Sequence, residues 1–325
     1  MTVATQLEIL DLRHFSARQL RGLLEAEAHA WEQRLRWNYK SSTELLLQYL
    51  DSRILPGFVA LDRGRVCGFT FCVYEGHKAV IGDAYAADPD PTKAAYITQT
   101  LLRQMLDLLR HSPNINRIEA QLLMYDSGSI ASSFLESGFT MYRRLFMELN
   151  LSDINLSGGK NSWPDRQLED GIELCGWSAE YYQPAAELVY ESYVGHPDSL
   201  INDQYCSLHG SLRFLHNIVR FPGCGVFEGS ESWLLRRGGQ LIGMILCSRV
   251  APKVAHITQL CLARSERGNG YGTLLLAHSM NHLAQSGFSV ITLTVTGTNS
   301  EAVHLYEKMG FYTLHEFDAM VLKKD

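Results

Sequence analysis

The chain has 325 residues, beyond the size at which a single hydrophobic core stops growing, so two domains of ordinary size are expected. Its 29 Lys and Arg against 35 Asp and Glu leave a formal net charge of −6, which argues against a nucleic-acid surface and favours a cationic partner. No apolar run approaches a membrane span, Met1 to Glu8 lack a basic region followed by a long apolar core, and the seven cysteines form no CxxC pair or disulfide ladder, so a reduced, cytoplasmic protein away from membranes is expected.

In chain order, hydrophobic periodicity predicts helices over 17–37 and 42–52, and strands over 57–62, 66–74 and 79–86. A helix over 92–110, a strand over 117–124, a short helix over 130–137 and a strand over 143–149 follow. The stretch 153–170, rich in Gly, Ser, Asp and Asn, is the natural linker between a domain over 1–152 and a second over 171–325. The order then repeats, with helices over 181–193 and 205–219 and strands over 231–237, 241–250 and 253–263. A helix over 271–286, a strand over 289–296, a helix over 300–309 and a strand over 317–322 complete it. A tandem duplication is the economical account.

The chemistry centres on Arg267-Gly268-Asn269-Gly270-Tyr271-Gly272, between the strand 253–263 and the helix that follows. A Gly-rich turn opening a helix leaves backbone N–H groups unpaired at the positive end of the helix dipole, where phosphate binds. Glycine permits φ > 0 and lets a bulky anion approach without a Cβ in the way, and Arg267 adds positive charge. The spacing is not a Walker A loop, which needs Gly-x4-Gly-Lys-Ser/Thr. It is not a dinucleotide fingerprint either, because the next strand runs into Gly297-Thr298-Asn299 with no carboxylate.

Arg-x-x-Gly-x-Gly, as Arg267, Gly270 and Gly272, resembles the acetyl-CoA loop of the GNAT N-acetyltransferase superfamily. A second element, Asn299-Ser300-Glu301-Ala302-Val303-His304-Leu305-Tyr306-Glu307-Lys308-Met309-Gly310-Phe311, resembles that superfamily's Asn-x-x-Ala-x-x-x-Tyr-x-x-x-Gly-Phe signature. Asn299 is there a helix N-cap, and Gly310 ends the helix in a left-handed turn. The resemblance implies an α/β (α+β) fold of two GNAT-like domains, each a mixed, mostly antiparallel sheet flanked by helices. It further implies transfer of an acyl group from acetyl-CoA, or another short acyl-CoA, to a primary amine by direct attack, with no metal. A non-catalytic acyl-CoA sensor or scaffold is the alternative, which intact Tyr306 and Asn299 disfavour.

The two halves differ where it matters. Laid on the second half segment by segment, Asp88-Pro89-Asp90-Pro91-Thr92-Lys93-Ala94-Ala95-Tyr96 falls on Arg264 to Gly272, and Phe134 falls on Tyr306. Two carboxylates repel a pyrophosphate, two prolines offer no N–H, and Ala94 and Tyr96 replace the two glycines. The first half is therefore expected to be a degenerate GNAT-like domain without a CoA site.

In the second half, the resemblance places the pantetheine arm and thioester carbonyl against the backbone of Leu260, Cys261 and Leu262. It makes Tyr306 the group that protonates the departing thiolate. His256 falls where one branch of the superfamily carries its basic glutamate, and a neutral imidazole there is the candidate base. Cys261 invites an acyl-cysteine but reads more simply as a small hydrophobe. The pair His278 and His282, at i, i+4, lacks a third ligand and reads as a solvated helix face. Tyr190, Glu191, Tyr193, His196, Asp198, Asp203 and Tyr205 occupy the region that shapes the acceptor site in relatives. Aromatic and acidic residues together suit a cationic amine, either a small molecule or a peptide, on a monomer or homodimer.

Overall fold

A computed structural model of the protein describes residues 7–153, 168–169, 171–221 and 225–324. The expected linker, 153–170, lies outside the described residues apart from 153, 168 and 169. The chain forms two compact units, one of Met1–Arg143 with Phe317–Asp325 and the other of Arg144–Glu316.

The first unit holds β1 (Leu7–Asp11), α1 (Ala17–Leu35), α2 (Lys40–Asp51), β2 (Gly57–Asp62), β3 (Arg65–Glu75), β4 (Lys78–Ala86), α3 (Pro91–His111), β5 (Arg117–Gln121) and α4 (Ala131–Leu135). Its chain then enters β6 (Thr140–Asn150). Leu20, Leu24, Leu46 and Leu47 of α1 and α2 pack on Val59 and Phe69, and Leu102, Met105 and Leu106 of α3 pack on Ile81 and Ile118. Helix α3 starts where the sequence dictates, with Pro91 in the first turn and the Asp90 carboxylate accepting from the Thr92 N–H at 2.9 Å.

The second unit holds β7 (Ile172–Gly176), α5 (Tyr182–Tyr193), α6 (Asp198–Ile201), α7 (Leu208–Arg220), β8 (Val226–Phe227), β9 (Trp233–Arg237), β10 (Gln240–Ala251) and β11 (Val254–Leu262). It continues through α8 (Tyr271–Gln285), β12 (Val290–Thr296) and α9 (Ser300–Lys308) into β13 (Tyr312–Lys323). Helix α8 covers one sheet face with Leu275, Leu276, Met280 and Leu283, against Ile245, Ile257 and Ile291. Helices α5 and α7 cover the other with Ala185, Ala186, Val189 and Leu215, against Leu234, Met244 and Leu246.

In both units one strand pair is parallel, β4 with β5 and β11 with β12, and the other pairings are antiparallel. The last strand of each sheet departs from the expected order. Arg144–Asn150 of β6 pair with β12 in the second unit, and Ala319–Lys323 of β13 pair with β5 in the first. Each sheet thus takes its final strand from the other half of the sequence. The expected division at 153–170 and the compact units differ for this reason. Alternation along a strand tells which side chains face the core, but not which of two similar sheets the strand joins.

Candidate active site

The site begins with a bulge. Cys247 pairs with Ile257 and Leu246 with Gln259, so Thr258 is an extra residue in β11. A bulge bends and twists its strand. The parallel pairing with β12 ends at Ile257–Leu293, while β11 continues to Leu262 and β12 to Thr296. The two strands splay. Because the Ala263 N–H donates to the Ile242 carbonyl on the β10 side (2.8 Å), Leu260 and Leu262 turn their N–H and C=O groups toward the splay. The Leu262 carbonyl accepts from Ser192 Oγ at 2.9 Å. Leu260 is left facing the gap with its strand edge free for an extended ligand.

At the end of β11 the chain turns through Gly268 (φ 80°) and Gly270 (φ 78°), both left-handed, and Gly270 caps α8 without any side-chain bond. The first-turn N–H groups of α8 therefore lack a side-chain cap, and residues 267–270 are exposed. A Cβ at Gly272 would meet only Leu305 at 3.4 Å and Leu262 at 3.7 Å, so packing alone does not demand glycine there. The loop fits a pyrophosphate: a helix N-terminus without a side-chain cap, and room for the anion.

Two side chains of the loop point elsewhere than into the cradle. The Arg267 guanidinium donates to the Ser192 carbonyl at 2.9 Å, near the C-terminal end of α5. Tyr271 is buried, donating to Glu169 at 3.0 Å and accepting from Arg237 at 2.9 Å. For Tyr271 the loop contribution is that of the backbone.

Tyr306 lies on the inner face of α9, with its ring 5.8 Å from Phe311. Its hydroxyl makes no hydrogen bond among the described residues and is not among the sealed polar atoms. Burial, then the charges of Asp198 and Cys261, push its pKa well above the ordinary phenol value, so it keeps its proton. Those two neighbours also locate it: the phenol faces both the splayed strand and α6. Asn299 caps α9 by accepting from the Ala302 N–H at 3.3 Å, and its amide nitrogen lies 3.2 Å from His196 Nε2.

His256 does not have the character of a base. It is buried, its Nδ1 lies 2.9 Å from Thr292 Oγ1, and its ring stacks on Phe146 at 6.0 Å. Burial, with Arg144 nearby, lowers its pKa to about 3, so the ring has little hold on a proton at neutral pH. Cys261 is equally inert, because burial pushes its thiol up to about 12. His278 and His282 are not a solvated face: their rings lie 4.2 and 4.4 Å from that of Trp233. Among the described residues no group of three or more His, Cys, Asp or Glu could hold a metal ion, and no helix is long and apolar enough to cross a membrane.

The acceptor region divides. Tyr190 and Glu191 are exposed, whereas Tyr193 stacks on Tyr205 at 4.1 Å and accepts from Gln259 Nε2 at 2.9 Å. His196 Nδ1 accepts from the Asp198 N–H at 3.1 Å. Burial holds the pKa of the ring below the ordinary imidazole value. Asp198 Oδ1 accepts from Thr296 Oγ1, and Oδ2 has no partner among the described residues. Sequence reasoning grouped Asp198 with its neighbours but had no signal for Thr296. It also had none for Arg144, which the strand exchange brings to the second sheet opposite Thr296.

The first unit shows what a closed version looks like. Gly82 is the extra residue in β4, as Thr258 is in β11, and the parallel pairing ends at Ile81–Ala120. Here, though, Tyr125 Oη donates to the Ala84 carbonyl at 2.8 Å and the Ala84 N–H donates to Asp83 Oδ1 at 2.8 Å. Ala84 is the counterpart of Leu260, and both its backbone groups are taken. The loop is closed as well, since Lys93 bridges Asp62 at 2.7 Å and Asp88 at 2.8 Å while Asp90 caps α3.

Beneath that edge Glu27 and Asp83 form a buried carboxyl pair, with Trp31 Nε1 donating to Glu27 at 3.3 Å. Burial, then the Asp83 carboxyl, raises the Glu27 pKa well above the usual range, and burial raises that of Asp83. A raised folded pKa means the native state holds protons that the unfolded chain releases. Stability is therefore complete below the unfolded carboxylate pKa and declines as pH rises toward the folded value. Glu27→Gln should remove the Glu27 share of this decline, leaving the variant about 1 kcal/mol more stable than the parent at pH 8 and no more stable at pH 4. Denaturant melts at the two pH values check it.

Residues 202–311 match the model of the Acetyltransferase (GNAT) family. A mycothiol acetyltransferase of Kocuria rhizophila is 35% identical over 65 residues, 20% of this chain and 22% of that protein. One of Streptomyces avermitilis is 32% identical over 95 residues, 29% of this chain and 30% of its own length. The aligned segments thus span less than a third of either relative. Among solved structures, a tandem GNAT protein from the clavulanic acid biosynthesis pathway matches with a TM-score of 0.64 at 15% identity, covering 98% of both chains. A fungal GCN5-related glucosamine N-acetyltransferase region matches at 0.66 and 15% identity, covering 99% of this chain and 38% of the other. The fold is that of the GNAT proteins, mixed α/β with mostly antiparallel sheets. Within that fold, residues 202–311 are the segment similar to the GNAT acetyltransferases.

Proposed function

We propose that the second unit binds one acetyl-CoA, or another short acyl-CoA, and that its acyl group passes directly to a primary amine. The observation that supports this most is the pairing of a free strand edge at Leu260 with an uncapped, glycine-lined start of α8. Pyrophosphate would lie on the N–H groups of residues 267–272, and the pantetheine arm would extend β11 along Leu260 to Leu262. The thioester supplies the activated acyl carbon. Backbone N–H groups at the splay polarise its carbonyl, and Tyr306, which keeps its proton, delivers it to the leaving sulfur. His256 is assigned to holding Thr292 and the sheet rather than to taking a proton, and Asp198 becomes the proton acceptor. Asn299 anchors the start of α9 and so the position of Tyr306.

The first unit is assigned no CoA site, because its strand edge and loop are closed by Tyr125, Asp83 and Lys93. The reading is tested by following free thiol release from acetyl-CoA with the full chain and a panel of primary amines. Amine-dependent release supports it, and no release above the amine-free rate with any amine would sink it.

A further inference from the structure

We propose that the acceptor is a zwitterion, a small molecule whose ammonium group is held by Asp198 and whose carboxylate is held by Arg144. The inference rests on the acyl-transfer reading above and specifies its substrate class. Both charged groups are bonded to threonines on one face of β12. Thr296 Oγ1 donates to Asp198 Oδ1, and Arg144 is the cross-strand partner of Thr296. Side chains directly opposite on neighbouring strands share a face. Along that face His256, Thr292, Thr294 and Thr296 stand with Phe146 and Glu148 of β6, and Arg144 Nη2 donates to Thr294 Oγ1 at 3.2 Å.

Neither charge is neutralised by the protein. No carboxylate among the described residues pairs with Arg144, and its Nε is sealed from solvent without a partner. Among the described residues Asp198 Oδ2 has no partner, and it is not sealed. A guanidinium bonded to Thr294 and a carboxylate bonded to Thr296, two residues along one face of β12 and not bridging each other, leave two complementary sites about 7 Å apart along the strand. Each favours an opposite charge, and a neutral or purely cationic acceptor would leave Arg144 uncompensated.

Asp198 is also close enough for its charge to act on the Tyr306 phenol, so the ammonium end is the reacting end. In the transfer, one ammonium proton passes to Asp198 and on to solvent, the freed nitrogen bonds the acyl carbon and sheds a second proton to solvent, the C–S bond breaks, and the sulfur takes the Tyr306 proton. Solvent then restores the phenol.

The experiment compares amino acids with their own amides. Thiol release from acetyl-CoA by the full chain is measured with glycine, β-alanine, γ-aminobutyrate and a set of α-amino acids, each beside its carboxamide. The acid is expected to exceed its amide in kcat/KM by about 50-fold for the best-fitting spacing, the scale of a charge-assisted hydrogen bond. In Arg144→Gln that ratio should fall to within a few-fold, and Arg144→Lys should restore part of it. Amides that match or exceed the acids in the parent protein would overturn the proposal without needing any variant, as would an acid preference that survives Arg144→Gln. If amines lacking a carboxylate are the ones that turn over, acyl transfer stands and the zwitterion is wrong. If nothing turns over, the reading beneath it fails as well.

Discussion

Replacing Tyr306 with phenylalanine is expected to lower kcat by about 100-fold while leaving the affinity for acetyl-CoA within a few-fold, because general-acid assistance is realised mainly in the transition state. The substitution removes one oxygen that has no hydrogen-bond partner among the described residues, so no protein hydrogen bond described there is lost. The ring keeps its contact with Phe311 and its place among Met309, Leu275 and the other core residues. A phenol that served only packing would give the opposite result, a near-neutral change. Pre-steady-state measurement of the chemical step distinguishes the two, since product release could mask a loss in kcat.

The double substitution Gly270→Val and Gly272→Val should abolish detectable acyl-CoA binding, a loss of at least about 100-fold. Gly270 sits at φ 78°, where a β-branched residue is strained by roughly 1–3 kcal/mol, so the turn that aims the donors would be displaced. Gly272 contributes differently. The protein has room for a Cβ there, with its nearest neighbour at 3.4 Å, so a side chain at this position acts on the ligand rather than on the fold. Gly272→Ala alone should therefore weaken binding while leaving the melting temperature almost unchanged. Equilibrium binding of a fluorescent CoA derivative, beside a thermal melt of each variant, reads both effects.

Much of this was legible in the chain. The loop and the Asn299–Phe311 segment carry local signals, glycines with positive φ and an N-cap at fixed spacing, and local signals survive without tertiary context. The tandem repeat was visible for the same reason. What stayed hidden depends on long-range pairing. The exchange of β6 and β13 could not be read, because residues 144–150 alternate equally well for either sheet. Arg144 was hidden with it. Cutting the chain in the 153–170 stretch would remove from the second sheet the strand that pairs seven residues of β12.

His256 shows a different limit. Its position in the strand was read correctly, but a base is made by environment, and only the packed structure shows that burial lowers it to about 3. The closure of the first unit was half legible. The acidic loop was in the sequence, whereas the bond from Tyr125 to the Ala84 carbonyl needed the fold to bring residues 41 apart together.

The central claim is that one chain carries one acyl-CoA site, located in the second unit. Isothermal titration of the full-length protein with acetyl-CoA in the absence of acceptor tests it most directly. The account predicts one site per chain, lost in the Gly270→Val, Gly272→Val protein and kept when Tyr125 is changed to phenylalanine. Two sites per chain, or one site that survives the double glycine substitution, would contradict it.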